Sequence, residues 1–360
     1  MSNDVTKRML SVYIQNASPT LFLSGLFQSP PRNFYNSEAV EIDIVRTGEE
    51  IAIVVQDLSA GGRLNSADLY TNKKFVPPIL KEKGALNAFD MIKRQAGTEP
   101  FADFEFQVNA TERALLLLSV LDAKIRRTVE LQAAQVLQTG KLNLIDSSGI
   151  VLYTLDFKPK ATHFPTAPII WSNTSAVPIS DLEVLAEVLR SDGLQNPDTL
   201  IMGSRAFEAF VQNDGVQKRF DNRRFELGTI TPMEMRGQGG NYRGQVTVGN
   251  YNLDVWTYGG RYVNPQTKVS TTYVDPAKVI MRASAGRLDA TFGAIPVFGN
   301  PAAGILPYLP PRLPMGAAGM DIFANAWLTA DREQLFISAG SRPLMIPTAI
   351  DTFGCLDTGV

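Results

Sequence analysis

The side chains that most often carry out chemistry in proteins are scarce in this sequence. It contains one histidine, His163, and one cysteine, Cys355, among 360 residues. A zinc site built on a pair of histidines is therefore excluded, and a serine or cysteine nucleophile would have only His163 as its imidazole base. Because His163 lies between Thr162 and Phe164-Pro165, we interpret it as an ordinary residue of a loop between strands.

Neither the cysteine nor the glycine-rich segment matches a motif for catalysis or nucleotide binding. Cys355 would need the distant His163 to act as a nucleophile, so we interpret it as a buried or partly buried structural thiol. In the segment 237–244, Tyr242 stands where a dinucleotide fingerprint needs its third glycine, and the Gly-Lys-Ser/Thr of a phosphate loop is absent. This segment is predicted to be a flexible loop.

Carboxylates are abundant, with 36 aspartates and glutamates, but spacing singles out no pair. Because glycoside hydrolysis needs only two carboxylates, a β-rich hydrolase that works with carboxylates stays open as one alternative. The main expectation is a protein that is not an enzyme and that uses no cofactor and no metal.

A basic and aromatic segment, 218–225, is open to two interpretations. Its cations are Lys218, Arg219, Arg223 and Arg224, and they alternate with two phenylalanines. Such a mixture suits contact with nucleic acid. Because Asp221 lies within the segment and Glu226 follows it, a salt-bridged surface between subunits is favoured.

The composition is that of a folded globular protein, with 44% hydrophobic and 19% charged residues. A net charge of −2 argues against a dedicated nucleic-acid binder, which is usually basic. One cysteine cannot form an intramolecular disulfide, which is typical of a reducing cytoplasm. The first ten residues have no apolar core, so we expect no signal peptide, and the apolar run Ala114–Leu118 is too short to cross a membrane.

The elements that would position these residues follow a mixed order of strands and helices, which predicts an α+β fold. Residues 1–41 are predicted to be an extended arm whose apolar side chains dock on another domain or subunit. Alternation over 40–56 predicts a β-hairpin with a turn at 47–49. The polar, glycine-tipped stretch after it, up to Pro77-Pro78, is predicted to project as a long loop.

A long helix over 109–138 is the strongest element, with Asn109 as its predicted cap and Gly140 after its end. A second hairpin is predicted over 142–155. Ser180 is predicted to cap a helix that runs to about Arg190 and is stopped by Gly193. The remaining predictions are a strand over 199–202, a helix over 205–211, a β-rich region over 246–292 and a final strand over 334–346.

Several of these segments resemble the lambda-type major head proteins, the capsid protein E family of tailed bacteriophages. The resemblance rests on Phe220-Asp-Asn-Arg-Arg224, on Gly259-Gly-Arg-Tyr-Val263, on Asp275-Pro276 before Lys278-Val-Ile-Met281, and on Asp331-Arg-Glu333 followed by Arg342-Pro-Leu-Met-Ile346. It spans most of residues 40–350, mainly in the order and spacing of elements. The run 296–320 has no counterpart in the family.

The resemblance implies a Hong Kong 97-like capsid fold. Its expected parts are an N-terminal arm (1–45), an extended loop (46–84), a peripheral domain with a long spine helix (85–177 and 326–360) and an axial domain (178–325). Expected contacts between subunits involve Asp57, Arg63, Asp68, Lys73 and Lys74 of the extended loop. In the axial domain they involve Lys218, Arg219, Arg223 and Arg224.

The function that the resemblance implies is assembly in the host cytoplasm, through pentamers and hexamers, into the icosahedral head of a virion. The head would enclose double-stranded DNA without sequence specificity. Implied partners are further copies of the chain, a portal, a scaffold or protease, and a decoration protein, with no membrane. A rival within the same fold is the shell of a cellular nanocompartment, which encloses a cargo enzyme instead of DNA.

Overall fold

A computed structural model describes residues 21–35, 40–45, 70–75, 77, 79–87, 106–145, 151–220, 240–264, 266–295, 321–329 and 333–360. The α-helices in these ranges are α1 (Phe106–Thr139), α2 (Pro178–Gly193), α3 (Ser204–Gln212) and α4 (Asp214–Phe220). The strands are β1 (Val40–Val45), β2 (Tyr70–Phe75), β3 (Leu80–Asn87), β4 (Lys141–Ile145), β5 (Val151–Asp156), β6 (Thr199–Met202), β7 (Gly240–Val248), β8 (Tyr251–Tyr258), β9 (Arg261–Val263), β10 (Ser270–Thr272), β11 (Lys278–Arg282), β12 (Asp289–Phe292), β13 (Phe323–Leu328), β14 (Gln334–Ser341), β15 (Pro343–Ile346) and β16 (Phe353–Asp357).

The chain divides into two compact units, each built from segments that are distant in the sequence. Unit 1 comprises 1–40, 76–132 and 290–345, and unit 2 comprises 41–75, 133–289 and 346–360. The predicted domain boundaries at 85, 178 and 326 do not coincide with these divisions, and they stay a prediction. The last fifteen residues belong to unit 2 because β16 pairs with β11.

In unit 1, α1 covers one face of an antiparallel sheet with the order β13–β14–β3. Buried residues recur every three or four positions along α1, which gives the helix a single apolar stripe. The residues that form this core are Ala114, Leu118, Leu121, Ile125, Ala326, Ile337 and Ala339. A Cβ at Gly84, opposite Ile337, would lie 2.8 Å from Cδ1 of Leu117, so glycine allows the helix to approach β3 closely.

Residues 21–35, which we call the strap, pack within unit 1. The carboxylate of Glu130, on α1, accepts hydrogen bonds from the backbone N–H groups of Leu23 and Ser24, each at 2.8 Å. Farther along the strap, Phe34 stacks on Phe292 with ring centroids 5.2 Å apart. The strap therefore docks on segments of the predicted peripheral and axial domains, through Glu130 and Phe292, and docking on another subunit stays a prediction. Residues 1–20 and 36–39 of the predicted arm lie outside the described residues.

In unit 2, a mixed sheet with the order β16–β11–β6–β8–β7 forms the framework. The central pair β6–β8 is parallel, and the other neighbours are antiparallel. Side chains alternate between the two faces of each strand. Leu200 and Met202 join the apolar cluster that α2 and α3 also enter, so Ile201 points to the opposite face, where it is also fully buried.

The positions of the predicted elements are confirmed more often than the residues at which they begin and end. The hairpin β4–β5 and the strand β6 lie where the sequence predicts them. The run 334–346, predicted as one final strand, forms the two strands β14 and β15, and β16 follows them. The cap predictions are wrong, because α1 begins at Phe106 and α2 begins at Pro178, so Asn109 and Ser180 lie within helical turns. The left-handed residue that ends α2 is Leu194, with φ of 55°, and not Gly193.

Two loop predictions change as well. The predicted partner of β1, residues 51–55, lies outside the described residues, and the strand that pairs with β1 is β2. The glycine-rich segment predicted as a flexible loop enters β7 at Gly240. No helix in the described ranges is long and apolar enough to cross a membrane.

The buried carboxylate of Glu130 provides a test of the strap. Replacing Glu130 with alanine leaves the N–H groups of Leu23 and Ser24 without this acceptor, and each buried donor without a partner costs about 1–3 kcal/mol. We expect Glu130→Ala to lower the free energy of unfolding of the unassembled subunit by about 3 kcal/mol in urea titrations. Glu208→Ala, an exposed helical glutamate, is the matched control, with an expected change within about 0.5 kcal/mol. Equal effects of the two substitutions would contradict the role of the strap contact.

Candidate assembly surfaces

The sole histidine is buried and bonded to a neighbouring carboxylate. His163 ends the short 3₁₀ helix Ala161–His163 and is fully buried, so the prediction of an ordinary loop residue is corrected. Its Nε2 lies 3.0 Å from Oδ2 of Asp192, and Nζ of Lys160 lies 2.5 Å from Oδ1 of the same carboxylate. Burial acts to raise the pKa of Asp192, but the hydrogen bonds from Lys160 and His163 outweigh it and hold this pKa below its ordinary value. The group links the 3₁₀ helix to the end of α2.

The sole cysteine is buried in β16, as the sequence predicts for a structural thiol. In the sheet register Cys355 lies opposite Ile280 of β11. Burial, the largest influence, raises the pKa of this thiol to about 12. The thiolate is the nucleophilic form of cysteine, so Cys355 stays protonated and unreactive near neutral pH. Among the described residues, no group of three or more His, Cys, Asp or Glu side chains is arranged to hold a metal ion.

The residues predicted to contact other subunits are only partly within the described ranges. Lys73 and Lys74 lie on β2, and Lys218 and Arg219 lie on α4. The other five residues, Asp57, Arg63, Asp68, Arg223 and Arg224, lie outside the described residues. The role of all nine in contacts between subunits stays a prediction.

Several large apolar side chains are exposed on otherwise regular elements, and sequence reasoning did not single them out. On α1, Leu116 is 63% exposed and Val120, one turn later, is 47% exposed. On α2, Val184 is 62% exposed between the buried Leu182 and Leu185. The spacing of Leu116 and Val120, outside the buried stripe of α1, was the one available signal. Contiguous exposed apolar patches mark interaction surfaces, and Leu116 and Val120 lie one turn apart on α1.

A further exposed pair flanks the turn between β9 and β10. Val263 is 60% exposed and Val269 is 59% exposed. Between the two strands, N–H of Asn264 donates to the carbonyl of Val269 at 3.0 Å and N–H of Lys268 donates to the carbonyl of Asn264 at 2.9 Å. At its base, the rings of Tyr262 and Tyr273 lie 5.1 Å apart. We call residues 261–272 the hairpin.

Unit 2 also contains an open cleft of about 440 Å³. One wall is the loop 171–174, and the other consists of α3 and the beginning of α4. Asn213 fixes the walls, because its Nδ2 donates to the carbonyl of Ala176 at 3.0 Å while its Oδ1 accepts from N–H of Gly215 at 3.0 Å. Glu208 and Asp214 are exposed in this cleft. Its residues come from distant parts of the chain, so no motif in the sequence indicates it.

The fold is similar to that of solved phage proteins. A protein described as a prophage capsid protein from Escherichia coli CFT073 matches with a TM-score of 0.68 and 16% identity, over 98% of this chain and 98% of that chain. A phage-related protein from Bordetella bronchiseptica RB50 matches with a TM-score of 0.52 and 10% identity, over 98% and 96% of the two chains. An encapsulin from Synechococcus elongatus PCC 7942 has a TM-score of 0.43 and 11% identity, over 97% and 94%.

The predicted α+β, Hong Kong 97-like capsid fold is confirmed by the likeness to the prophage capsid protein. No curated protein matches the chain. The model of the phage major capsid protein E family, in contrast, matches residues 6–354, nearly the whole sequence. The chain therefore belongs to the phage major capsid protein E family.

Proposed function

We propose that the chain assembles through hexamers and pentamers into the icosahedral head of a tailed bacteriophage. The observation that carries this proposal is the family match over residues 6–354. A family of capsid proteins implies a structural component of the virion that associates with copies of itself. Assembly in the host cytoplasm belongs to the same proposal.

The exposed apolar residues support a subunit whose apolar surface is covered by neighbouring subunits after assembly. Leu116 and Val120 of α1 and Val184 of α2 are exposed on well-formed helices. A closed shell needs heterologous contacts, in which one surface of a subunit meets a different surface of the next. Exposed apolar positions in both units suit such contacts, because each copy must present several distinct surfaces at once.

Packaged double-stranded DNA is the cargo that we propose. A net charge of −2 suits a wall that surrounds DNA, because strong binding to phosphates would hinder packing and release. No sequence specificity is expected. A portal, a scaffold or protease and a decoration protein are the other partners that such a head requires or accepts, and they belong to the same proposal.

A role without catalysis is also part of the proposal. The one cysteine is held protonated by burial, and the one histidine is occupied by Asp192. The alternative of a nanocompartment shell differs in its cargo, and the family match favours the phage head. The alternative of a carboxylate-dependent hydrolase has no support from the family match.

Negative-stain electron microscopy of the purified protein tests the assembly state. We expect closed shells or capsomers, in the megadalton range for shells, when the protein is produced with its scaffold or protease. A stable contact between two proteins typically buries about 800 Å² per partner, and a shell multiplies such contacts around every subunit. A stable monomer in sedimentation at high concentration, with no shells when its phage partners are present, would contradict the proposed function.

Denaturing gels of assembled particles test for covalent chemistry. We expect one band near the mass of the chain, 39.4 kDa, because we propose a subunit that forms no isopeptide bonds. Lys73 and Lys74 lie in the predicted extended loop, where some proteins of this fold form such bonds. Unassembled protein serves as the control, and a ladder of multimers seen only for particles would contradict this expectation.

Shortening the predicted extended loop tests its role between subunits. We propose to replace residues 57–68 with a short Gly-Ser turn, which removes Asp57, Arg63 and Asp68 and keeps β2 paired with β1. We expect a folded, soluble subunit with unchanged circular dichroism that forms no closed shells. A long loop that lies on a neighbour supplies contact area and register without adding to its own core.

Two outcomes would contradict this assignment. Normal shells from the shortened protein would show that the loop is not needed between subunits. Global unfolding would show that the segment belongs to the subunit's core. A variant with Asp57, Arg63 and Asp68 changed to serine at full loop length is the matched control, and it separates the effect of charge from that of length.

A further inference from the structure

The hairpin and the cleft are separate parts of unit 2. In the hairpin, backbone hydrogen bonds join Asn264 to Val269 and Lys268 to Asn264. The cleft has two walls that Asn213 and its partners hold in place. None of the described residues that line the cleft belongs to the hairpin, so the hairpin of a chain does not fill that chain's own cleft.

Their charges are also complementary. Residues 261–272 carry Arg261 and Lys268 and no acidic residue, and both cations are exposed. The cleft presents the exposed carboxylates of Glu208 and Asp214. None of these four groups forms an ion pair with a described residue, as far as the structure describes the chain.

Arg205, a cation that also lines the cleft, is hydrogen-bonded within its own chain. Nη1 of Arg205 donates to the backbone oxygen of Val360 at 3.2 Å. The two exposed carboxylates of the cleft therefore remain available to the two exposed cations of the hairpin, and opposite charges determine orientation and partner choice.

We propose that the hairpin of one copy inserts its turn into the cleft of a neighbouring copy of the same chain. The inference rests on the proposed function, because it identifies two surfaces through which copies meet. Each subunit then donates one hairpin and accepts another. A head-to-tail contact of this kind generates a closed ring when its rotation closes, which is the arrangement that a pentamer or hexamer needs.

Cysteine cross-linking tests the contact directly. Val263→Cys places a thiol beside the turn of the hairpin, and Gln212→Cys places one in the cleft. The native Cys355 is buried with a pKa of about 12, so it does not take part in oxidation of the folded protein. We expect the double variant, oxidised after assembly, to give a ladder of covalent multimers on non-reducing gels, which reductant removes.

Matched variants distinguish this contact from chance collisions. Val151→Cys combined with Gln212→Cys is the control, because Val151 is also an exposed valine of unit 2, at 46%, and lies outside the candidate surfaces described above. This control is expected to give no ladder. A mixture of the Val263→Cys protein with the Gln212→Cys protein is expected to give covalent dimers, which shows that the bond forms between chains. A monomer with altered mobility and no ladder would overturn the proposal.

Charge reversal tests the same pairing without new covalent bonds. We expect Arg261→Glu with Lys268→Glu to abolish shells, and Glu208→Lys with Asp214→Asn to do the same. The four changes combined are expected to restore shells, because attraction between hairpin and cleft returns with opposite sign. Circular dichroism checks that each variant is folded. Normal shells from either pair alone, or no recovery in the combined variant when all three proteins are folded, would overturn the proposal.

The wild-type protein separates this inference from the function on which it rests. Shells of the wild-type chain, with no ladder from the cysteine pair, would overturn the contact alone. A wild-type chain that stays monomeric with its phage partners would overturn the proposed function as well.

Discussion

The constraint on which the described structure depends is the need to cover the apolar stripe of α1. This helix has 34 residues, which corresponds to a length of about 51 Å. Helices gain most of their stability in proteins from packing of an apolar face. In unit 1 the cover comes from β3, before the helix in the sequence, and from β13 and β14, about two hundred residues after it. Unit 1 is therefore complete only when these distant segments have met.

Polar groups that are buried, such as Glu130, or half-buried, such as Asp192, support this framework. Glu130 binds the strap to α1 through two backbone N–H groups. Asp192 joins His163 and Lys160 to the end of α2. Each group is matched to a specific partner, because a buried charge or donor without one is costly. On the hairpin and in the cleft, in contrast, Arg261, Lys268, Glu208 and Asp214 are exposed and form no ion pair with a described residue.

Local patterns in the sequence predicted most of the regular elements. Alternating and continuous apolar runs predicted β4, β5, β6 and β14, and helical periodicity predicted the buried face of α2, because these signals depend only on neighbouring residues. Caps were less predictable. Asn109 and Ser180 suit a helix start, but each helix extends beyond them, and in α2 the proline at 178 supplies a suitable first residue.

The candidate surfaces could not be predicted from short stretches of the sequence, because they depend on contacts between distant residues. Val184 and Leu185 are adjacent apolar residues on one helix, yet the first is 62% exposed and the second is 1% exposed. The cleft forms only when the loop at 171 meets α3 and α4 in space. The family resemblance predicted the fold because it draws on the order of elements along the whole chain, whereas the hairpin and the cleft were visible only in three dimensions.

The buried thiol of Cys355 has a consequence for how the particle meets its surroundings. A virion leaves the reducing interior of a cell for oxidising surroundings, and an accessible thiol would then be open to disulfide exchange or oxidation. Cys355 is buried in β16, beside β11, and is kept protonated, so this thiol is protected in both environments. Because the thiol is buried, its rate of alkylation measures how often β16 separates from β11. β16 is the edge strand of its sheet, and the same measurement can be made on the free subunit and on the shell.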